Sequence, residues 1–251
     1  MKTIHGIIFS IFFPVALHAV NSDTILLRAK HYYQQNEYSK AIVEYHSLAD
    51  SGWVSAALFY NLGNAYFRNN DLKSAILYYE RAKRLAPNNE AINENLELSY
   101  SLIFDKVEAV PELFLITWGK AIRDMMSVRA WSWWSITSFV IMLALGLIFL
   151  FVRKMGVRQF AFVLCLFSFM LCIITFTFGY LQKNNINRTD EAIVFAPSVT
   201  IKSSPADSGN NLFILHEGIK VRIEDRIGEW CEIRIADGKK GWIRISELKI
   251  I

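Results

Sequence analysis

The sequence predicts a three-part membrane protein: an α-helical repeat module, a two-helix transmembrane hairpin and a small all-β barrel. Three patterns carry that reading. Aromatic and small positions recur at a 34-residue spacing in the first third of the chain. Two runs without a single charge occupy 130–152 and 160–181, and apolar–polar alternation at a two-residue period begins near Asp190. These are the periods of stacked helix pairs, of bilayer-length helices and of half-buried strands respectively.

The N-terminus has the form of a secretory signal peptide over 1–19. Lys2 opens it, the apolar stretch Ile4–Leu17 forms its core, and Ala19 is a plausible last residue before cleavage. The alternative is an uncleaved third membrane helix, for which about 14 apolar residues is short.

The repeat module is expected over 22–105. In the unit 56–89, Phe59, Leu62, Gly63 and Tyr66 fall on one helix, Ala75, Tyr79 and Ala82 on a second, and Pro87 after it. Gly63 and Ala75 let two antiparallel helices approach, Leu62, Tyr66 and Tyr79 fill the seam, and Asn69-Asn70-Asp71 supplies the turn. This matches the tetratricopeptide pattern. A weaker copy lies at 22–55, where Tyr32, Ala41 and Tyr45 stand 34 residues before Tyr66, Ala75 and Tyr79. A capping helix is expected over 90–104, since stacked repeats need a neighbour to cover their last face.

First-helix residues of such stacks line a concave groove. Here that face should hold Lys30, Tyr33, Tyr60, Asn64, Phe67 and Arg68, which would grip a partner's peptide or helix. The competing reading is that Tyr60 and Phe67 pack against the neighbouring repeat or the capping helix.

The interfacial segment 111–129 mixes Leu113, Phe114, Ile116 and Trp118 with Lys120, Arg123 and Asp124, as an amphipathic helix at a lipid surface does. A partner-binding helix is the other reading. Each apolar run, of 22 or 23 residues, can cross a core of roughly 30 Å at about 1.5 Å per residue. The connector 153–159 permits only a tight hairpin, so the modules before and after it share one side of the membrane. With export this places both outside the cytoplasm, in the inner membrane of the envelope, and puts Arg153, Lys154 and Arg158 inside. The absence of ionisable residues within the spans favours an anchor over a transporter. Helix pairing through Gly146, Ser168 or Gly179 is a further possibility.

Charge separates the parts. Residues 20–110 carry 9 Lys and Arg against 11 Asp and Glu, residues 182–251 carry 11 against 10, and the membrane region 111–181 carries 6 against 2. The overall surplus of +4 thus belongs to the flanks of the spans, and neither module is basic enough for nucleic acid.

Beyond Asp190, strands are expected at 192–196, 199–202, 212–216, 219–224, 229–235 and 240–245, a spacing that suits a compact barrel over 190–251. Alternation sends Val221, Ile223, Cys231, Ile233, Ile235, Ile243 and Ile245 to the core, and Trp230, Trp242, Arg222 and Arg244 to the opposite face. The motifs Leu-His-Glu-Gly-Ile-Lys-Val221, Gly-Glu-Trp230 and Asp-Gly-Lys-Lys-Gly-Trp-Ile243 resemble a bacterial SH3-like domain. The outward tryptophans would either bind an extended or cell-wall peptide or brace the hairpins.

No catalytic constellation is legible. His31, His46 and His216 adjoin no nucleophile or HExxH motif, phosphate-cradling glycine loops are absent, and the cysteines Cys165, Cys172 and Cys231 have no metal-ligand spacing. The expectation is a non-enzymatic protein with no cofactor and no metal.

The order of leader, repeats, hairpin and SH3-like domain, with the stretches Ala86-Pro-Asn-Asn-Glu-Ala-Ile-Asn-Glu-Asn-Leu-Glu-Leu98 and Asp190-Glu-Ala-Ile-Val-Phe-Ala-Pro-Ser-Val-Thr-Ile-Lys-Ser-Ser-Pro205, resembles BatE-type proteins of the Bacteroides aerotolerance (Bat) group. That resemblance implies partners among Bat membrane proteins with von Willebrand A domains and a role in oxygen or stress tolerance. It supplies no catalytic residues. A cell-wall module that binds peptidoglycan and recruits an envelope enzyme is the alternative.

Overall fold

The structure is a computed structural model that describes residues 13–107, 110–111 and 113–251. Residues 1–12, most of the expected leader, lie outside the described residues. Among those described, the chain forms eight α-helices and seven strands, gathered into two compact units. One unit joins the segment up to Val110 with Thr189–Ile251, and the other is Pro111–Arg188.

The first unit opens with five helices: α1 (Phe13–Gln34), α2 (Tyr38–Asp50), α3 (Ala56–Arg68), α4 (Leu72–Leu85) and α5 (Glu90–Leu102). The 34-residue period is visible in the backbone itself. Asn36 and Asn70 both adopt left-handed φ, at 62° and 61°, where a short amide side chain is well tolerated. The following amides make the same turn bond, Glu37 N–H to the Tyr32 carbonyl and Asp71 N–H to the Tyr66 carbonyl, at 2.9 and 3.0 Å. Ala41, Ala75, Tyr45 and Tyr79 are all buried at the helix seams. Side chains of Ser55, Asp71 and Asn89 cap α3, α4 and α5, each accepting from the amide three residues on; one such cap contributes about 1 kcal/mol. A Cβ on Gly63 would come within 2.6 Å of the Tyr79 ring, so the absence of a side chain there is what lets α3 and α4 close.

The same unit ends in an antiparallel SH3-like sheet. Its strands are β1 (Glu191–Val194), β2 (Ser198–Lys202), β3 (Asn211–His216), β4 (Lys220–Ile227), β5 (Trp230–Arg234), β6 (Lys240–Arg244) and β7 (Leu248–Ile250). Their order is β3-β2-β6-β5-β4-β1-β7. Ile201, Val221, Cys231, Ile233 and Ile243 fill its interior. Ile245 does not. The expected sixth strand ends at Arg244, and a 3-10 turn over Ile245–Glu247 leaves Ile245 40% exposed. This turn redirects the chain into β7, which pairs with β1 and which alternation did not reveal.

Buried side chains of repeats and sheet form one continuous apolar cluster. The reason shows in α4. An amphipathic helix with one covered face buries a stripe, yet Ser74–Glu80 are buried without interruption. One side of α4 meets α3 and α5, and the other meets the sheet at β1.

The second unit holds α6 (Phe114–Asp124), α7 (Val128–Phe151) and α8 (Met155–Ile186). Both α7 and α8 are long and apolar enough to be candidate membrane spans. Their contact is made by small and polar residues. Ala161, Ser168, Thr175 and Gln182 are buried at seven-residue steps on α8, with Trp131 and Ser138 on α7, the repeat of a left-handed helix pair. Ser168 donates to the Ser138 carbonyl at 2.7 Å, and Gly179 packs against the Trp131 Cβ. Gly146, by contrast, faces open space. Trp131 is buried, stacks on Phe178 and donates its indole N–H to the Arg123 carbonyl at 2.9 Å. Trp133 and Trp134 are exposed.

Candidate functional site

Three surfaces of the first unit concern binding. The cleft between the first helices is lined by Lys30, Tyr33 and Gln34 of α1, Tyr45 of α2, and Asn61 and Asn64 of α3, and encloses about 130 Å3. Tyr45 forms its floor, and burial pushes that phenol up to about 12. Lys30 stands exposed at the rim. Arg68 lies beside it in a separate group, its Nε donating to the Tyr38 hydroxyl at 3.1 Å while its guanidinium covers the Tyr38 ring. Tyr33 meets the edge of Tyr38, with centroids 5.4 Å apart.

The other predicted groove residues are already engaged. Asn64 Oδ1 accepts from the Tyr79 hydroxyl at 2.6 Å and from Asn95 Nδ2 at 3.1 Å, and Asn95 also donates to the Tyr60 hydroxyl at 3.0 Å. Helix α5 thus takes the polar edge of α3, leaving Tyr60 and Asn64 as links to the cap. Phe67 packs against the core. The structure therefore gathers Lys30, Tyr33 and Asn64 at one cleft, adds Asn61 and Gln34, and sets Tyr60 and Phe67 into packing roles.

On the outer face of the sheet, Trp230 lies opposite Arg244, and Glu232 lies opposite Trp242. Arg244 covers the Trp230 ring at 5.2 Å and holds Asp207 through both carboxylate oxygens. Both tryptophans are half-buried. Arg222 belongs elsewhere: it pairs with Arg234, whereas Trp230 pairs with Ile227. Five residues along β4 at about 3.3 Å each separate the two positions. Trp230, Trp242 and Arg244 form one patch, and Arg222 stands apart.

The third surface, where repeats meet sheet, had no signal in the sequence. Lys220 of β4 bridges Glu80 of α4 at 2.9 Å and Glu191 of β1 at 3.0 Å, and Arg84 of α4 also reaches Glu191 at 3.1 Å. Arg81 and Arg84 donate to the carbonyls of Ile250 and Ile251. Tyr100 of α5 donates to Glu80 at 2.7 Å. Burial, then the Glu80 carboxylate, pushes this phenol well above its ordinary value and keeps it a donor. Farther along, Lys73 pairs with Glu217, and Asp105 accepts from the His216 amide. A cavity of about 420 Å3 opens beside this network, floored by Ile103, Val107 and Ile219 with Glu80 and Lys220 in its wall.

His46 lies among the rings of Tyr66 and Tyr78, its Nε2 2.6 Å from the Tyr66 hydroxyl, and burial pulls its pKa down. That is a packed core histidine. Among the described residues no group of three or more His, Cys, Asp or Glu side chains is placed to hold a metal ion.

Comparison with known proteins agrees with this geometry in two places. Residues 26–90 match the family model of the tetratricopeptide repeat, and residues 197–249 match that of the bacterial SH3 domain. Among curated proteins, no sequence matches the chain. The chain thus carries tetratricopeptide repeats and a bacterial SH3 domain, both of kinds that typically bind other molecules rather than catalyse reactions.

Proposed function

We propose that the protein is a non-enzymatic scaffold anchored in the inner membrane by α7 and α8, with repeats and SH3-like sheet together on the periplasmic side. One observation carries the reading. Segments from either side of the hairpin fold into a single body, while the Lys30–Tyr33–Asn61 cleft stays open. A body so built presents the cleft and the sheet to a partner as one rigid surface. Periplasmic placement follows from the expected leader, and the resemblance to the Bat group supplies the partner: a membrane protein with a von Willebrand A domain, in a complex tied to oxygen or stress tolerance.

A photo-crosslinking side chain placed at Asn61 in the full-length protein tests this in intact cells. The expected product is a crosslink to such a Bat protein, weakened by Lys30→Glu. Absence of that product from cells containing both proteins overturns the Bat assignment.

The second reading is a peptidoglycan-binding module recruiting an envelope enzyme. It draws on the Trp230–Trp242–Arg244 patch and on the bacterial SH3 match. Retention on purified sacculi that falls when Trp242 becomes alanine would favour it over the scaffold.

A further inference from the structure

The SH3-like sheet ends in two edge strands, and they are defended very differently. At β7 the strand carries Lys249, and Arg81 and Arg84 of α4 donate to the carbonyls of Ile250 and Ile251 at 2.7 and 2.8 Å. Charge and cover are how an edge is kept from templating another strand with its unpaired amides and carbonyls. At the other edge, β3 has β2 as its one neighbour, and Asn211–His216 contains no acidic residue, lysine, arginine or proline.

The hydrogen bonds show which residue of β3 faces outward. The His216 amide donates to Asp105 Oδ2 at 2.8 Å rather than to β2, so at this position the backbone points away from its neighbour strand. In an antiparallel ladder that direction alternates, and both groups of one residue point the same way. The register Ser198↔His216, Val199↔Leu215, Thr200↔Ile214 therefore turns the amide and carbonyl of Ile214 outward as well. Among the described residues no hydrogen bond from outside the sheet reaches them. Asp105 closes this window at one end, and the register shift between Ile201 and Lys202 closes it at the other. The surrounding side chains are apolar. Ile214 and Leu212 are 56% and 50% exposed, and Phe104, 80% exposed, sets its ring against His216 with centroids 4.6 Å apart.

We propose that this edge pairs with the same edge of a second copy, antiparallel and about a two-fold axis through Ile214. Each Ile214 then gives its amide to the other's carbonyl, so the outward groups of both chains are satisfied together. The two Ile214 side chains come to lie side by side and leave water. Self-complementarity selects this occupant over a foreign strand. An edge without charge meets its own image with no like-charge repulsion, and it offers a foreign segment no charge to steer it. The axis also brings the Asp105 end of each window toward the other copy's Asn211 end, where Lys202 sits on the Asn211 side chain at 2.8 Å, acid toward base. The bulge there bends the strand away where Asp105 stands. The pairing concerns the sheet alone, so it stands or falls apart from the membrane spans and the Bat partner.

The test measures the full-length protein in mild detergent by sedimentation across a range of protein concentrations. A reversible dimer is expected. Ile214→Pro is the decisive variant. It removes an amide that β2 does not use, a place where an edge strand tolerates proline, so β3 keeps its ladder while both intermolecular bonds are lost. The dimer should weaken about thirtyfold, the worth of two backbone hydrogen bonds. Ile214→Lys should weaken it as well, by setting two ammonium groups opposite each other. Continued protection of Cys231 from maleimide shows that the sheet is intact in either variant. Ile214→Cys keeps the test open should these substitutions unfold the sheet. The axis places the two Cα atoms about 5.5 Å apart, within disulfide reach, so mild oxidation should link two copies, whereas Lys249→Cys on the defended edge should not link them. A monomer at every concentration, or a dimer that Ile214→Pro leaves unchanged with Cys231 still protected, overturns the proposal. So does oxidation in cell membranes that joins position 214 to a different protein rather than to a second copy.

Discussion

Lys220 Nζ lies 2.9 Å from Glu80 Oε2, and this bond ties strand β4 of the SH3-like sheet to helix α4 of the repeats across 140 residues of sequence. Glu191 shares the same ammonium, so one lysine faces two carboxylates at the junction. The arrangement makes two modules one mechanical object.

Replacing that lysine should loosen both modules at once. Lys220→Met leaves Glu80 and Glu191 facing each other with their common partner gone. Removing one member of a buried pair costs about 3–5 kcal/mol; since the Lys220 side chain keeps 32% of its exposure, a loss of about 2–3 kcal/mol is expected. Hydrogen exchange of the detergent-solubilised chain should show α4 and β1 both exchanging faster. Acceleration confined to β4 would mean that the modules do not stand or open together.

The junction should be most stable across the neutral range. Burial pushes the Glu191 carboxyl up, but the charges and hydrogen bonds of Lys220 and Arg84 outweigh it and hold the group below its ordinary 4.5. A carboxylate depressed on folding adds stability above the unfolded value, and that stability disappears as pH falls through the lower folded one. Burial pulls Lys220 down, but Glu80 and Glu191 raise it above 10.5. Its contribution is complete below 10.5 and disappears as pH rises through the higher folded value. Thermal unfolding followed against pH should fall off at both ends, and Glu191→Gln should flatten the acid limb.

Gly218 makes a separate prediction about docking. Its φ is +90°, and a Cβ there would lie 2.8 Å from Ile103 and 3.3 Å from Ile76. Gly52 has nearly the same φ, +89°, with nothing within 4 Å. Gly52→Ala should therefore cost backbone strain alone, about 1 kcal/mol. Gly218→Ala should cost about 2–4 kcal/mol, because strain and overpacking add. Equal melting temperatures for the two variants would show that the turn does not press against the repeats.

Cys231 should be a poor nucleophile until the sheet opens. It is fully buried, and burial pushes its thiol up. Maleimide labelling of this position is expected only in denaturant, at a rate that tracks unfolding. Rapid labelling of the folded chain would contradict a closed core around it.

Much of the fold was legible because much of it is local. The turn at Asn70, the close approach at Gly63 and the buried Tyr45 and Tyr79 depend on neighbours within one helix pair, so a 34-residue pattern contains them. Cys231, Ile233 and Ile243 were readable from alternation for the same reason. Ile245 was misread because alternation has no means of showing a 3-10 turn after Arg244. Of the candidate site residues, Lys30, Tyr33 and Asn64 converge as helix geometry implies. Tyr60 was ambiguous because its partner, Asn95, lies on a third helix.

By itself the sequence determined the parts: repeat helices, two helices of bilayer length and an antiparallel β module. Each follows from a period repeated within a few dozen residues. Tertiary structure alone decided that α4 is covered on both sides, that Lys220 serves Glu80 and Glu191, that Arg222 stands apart from Trp230, and that Gly179 rather than Gly146 meets the neighbouring helix. Those outcomes depend on which faces and strand positions meet once the elements pack, as when Glu80 and Lys220 come together across 140 residues. A polar residue on a helix surface reads the same whether its partner is water or a strand from the other end of the chain.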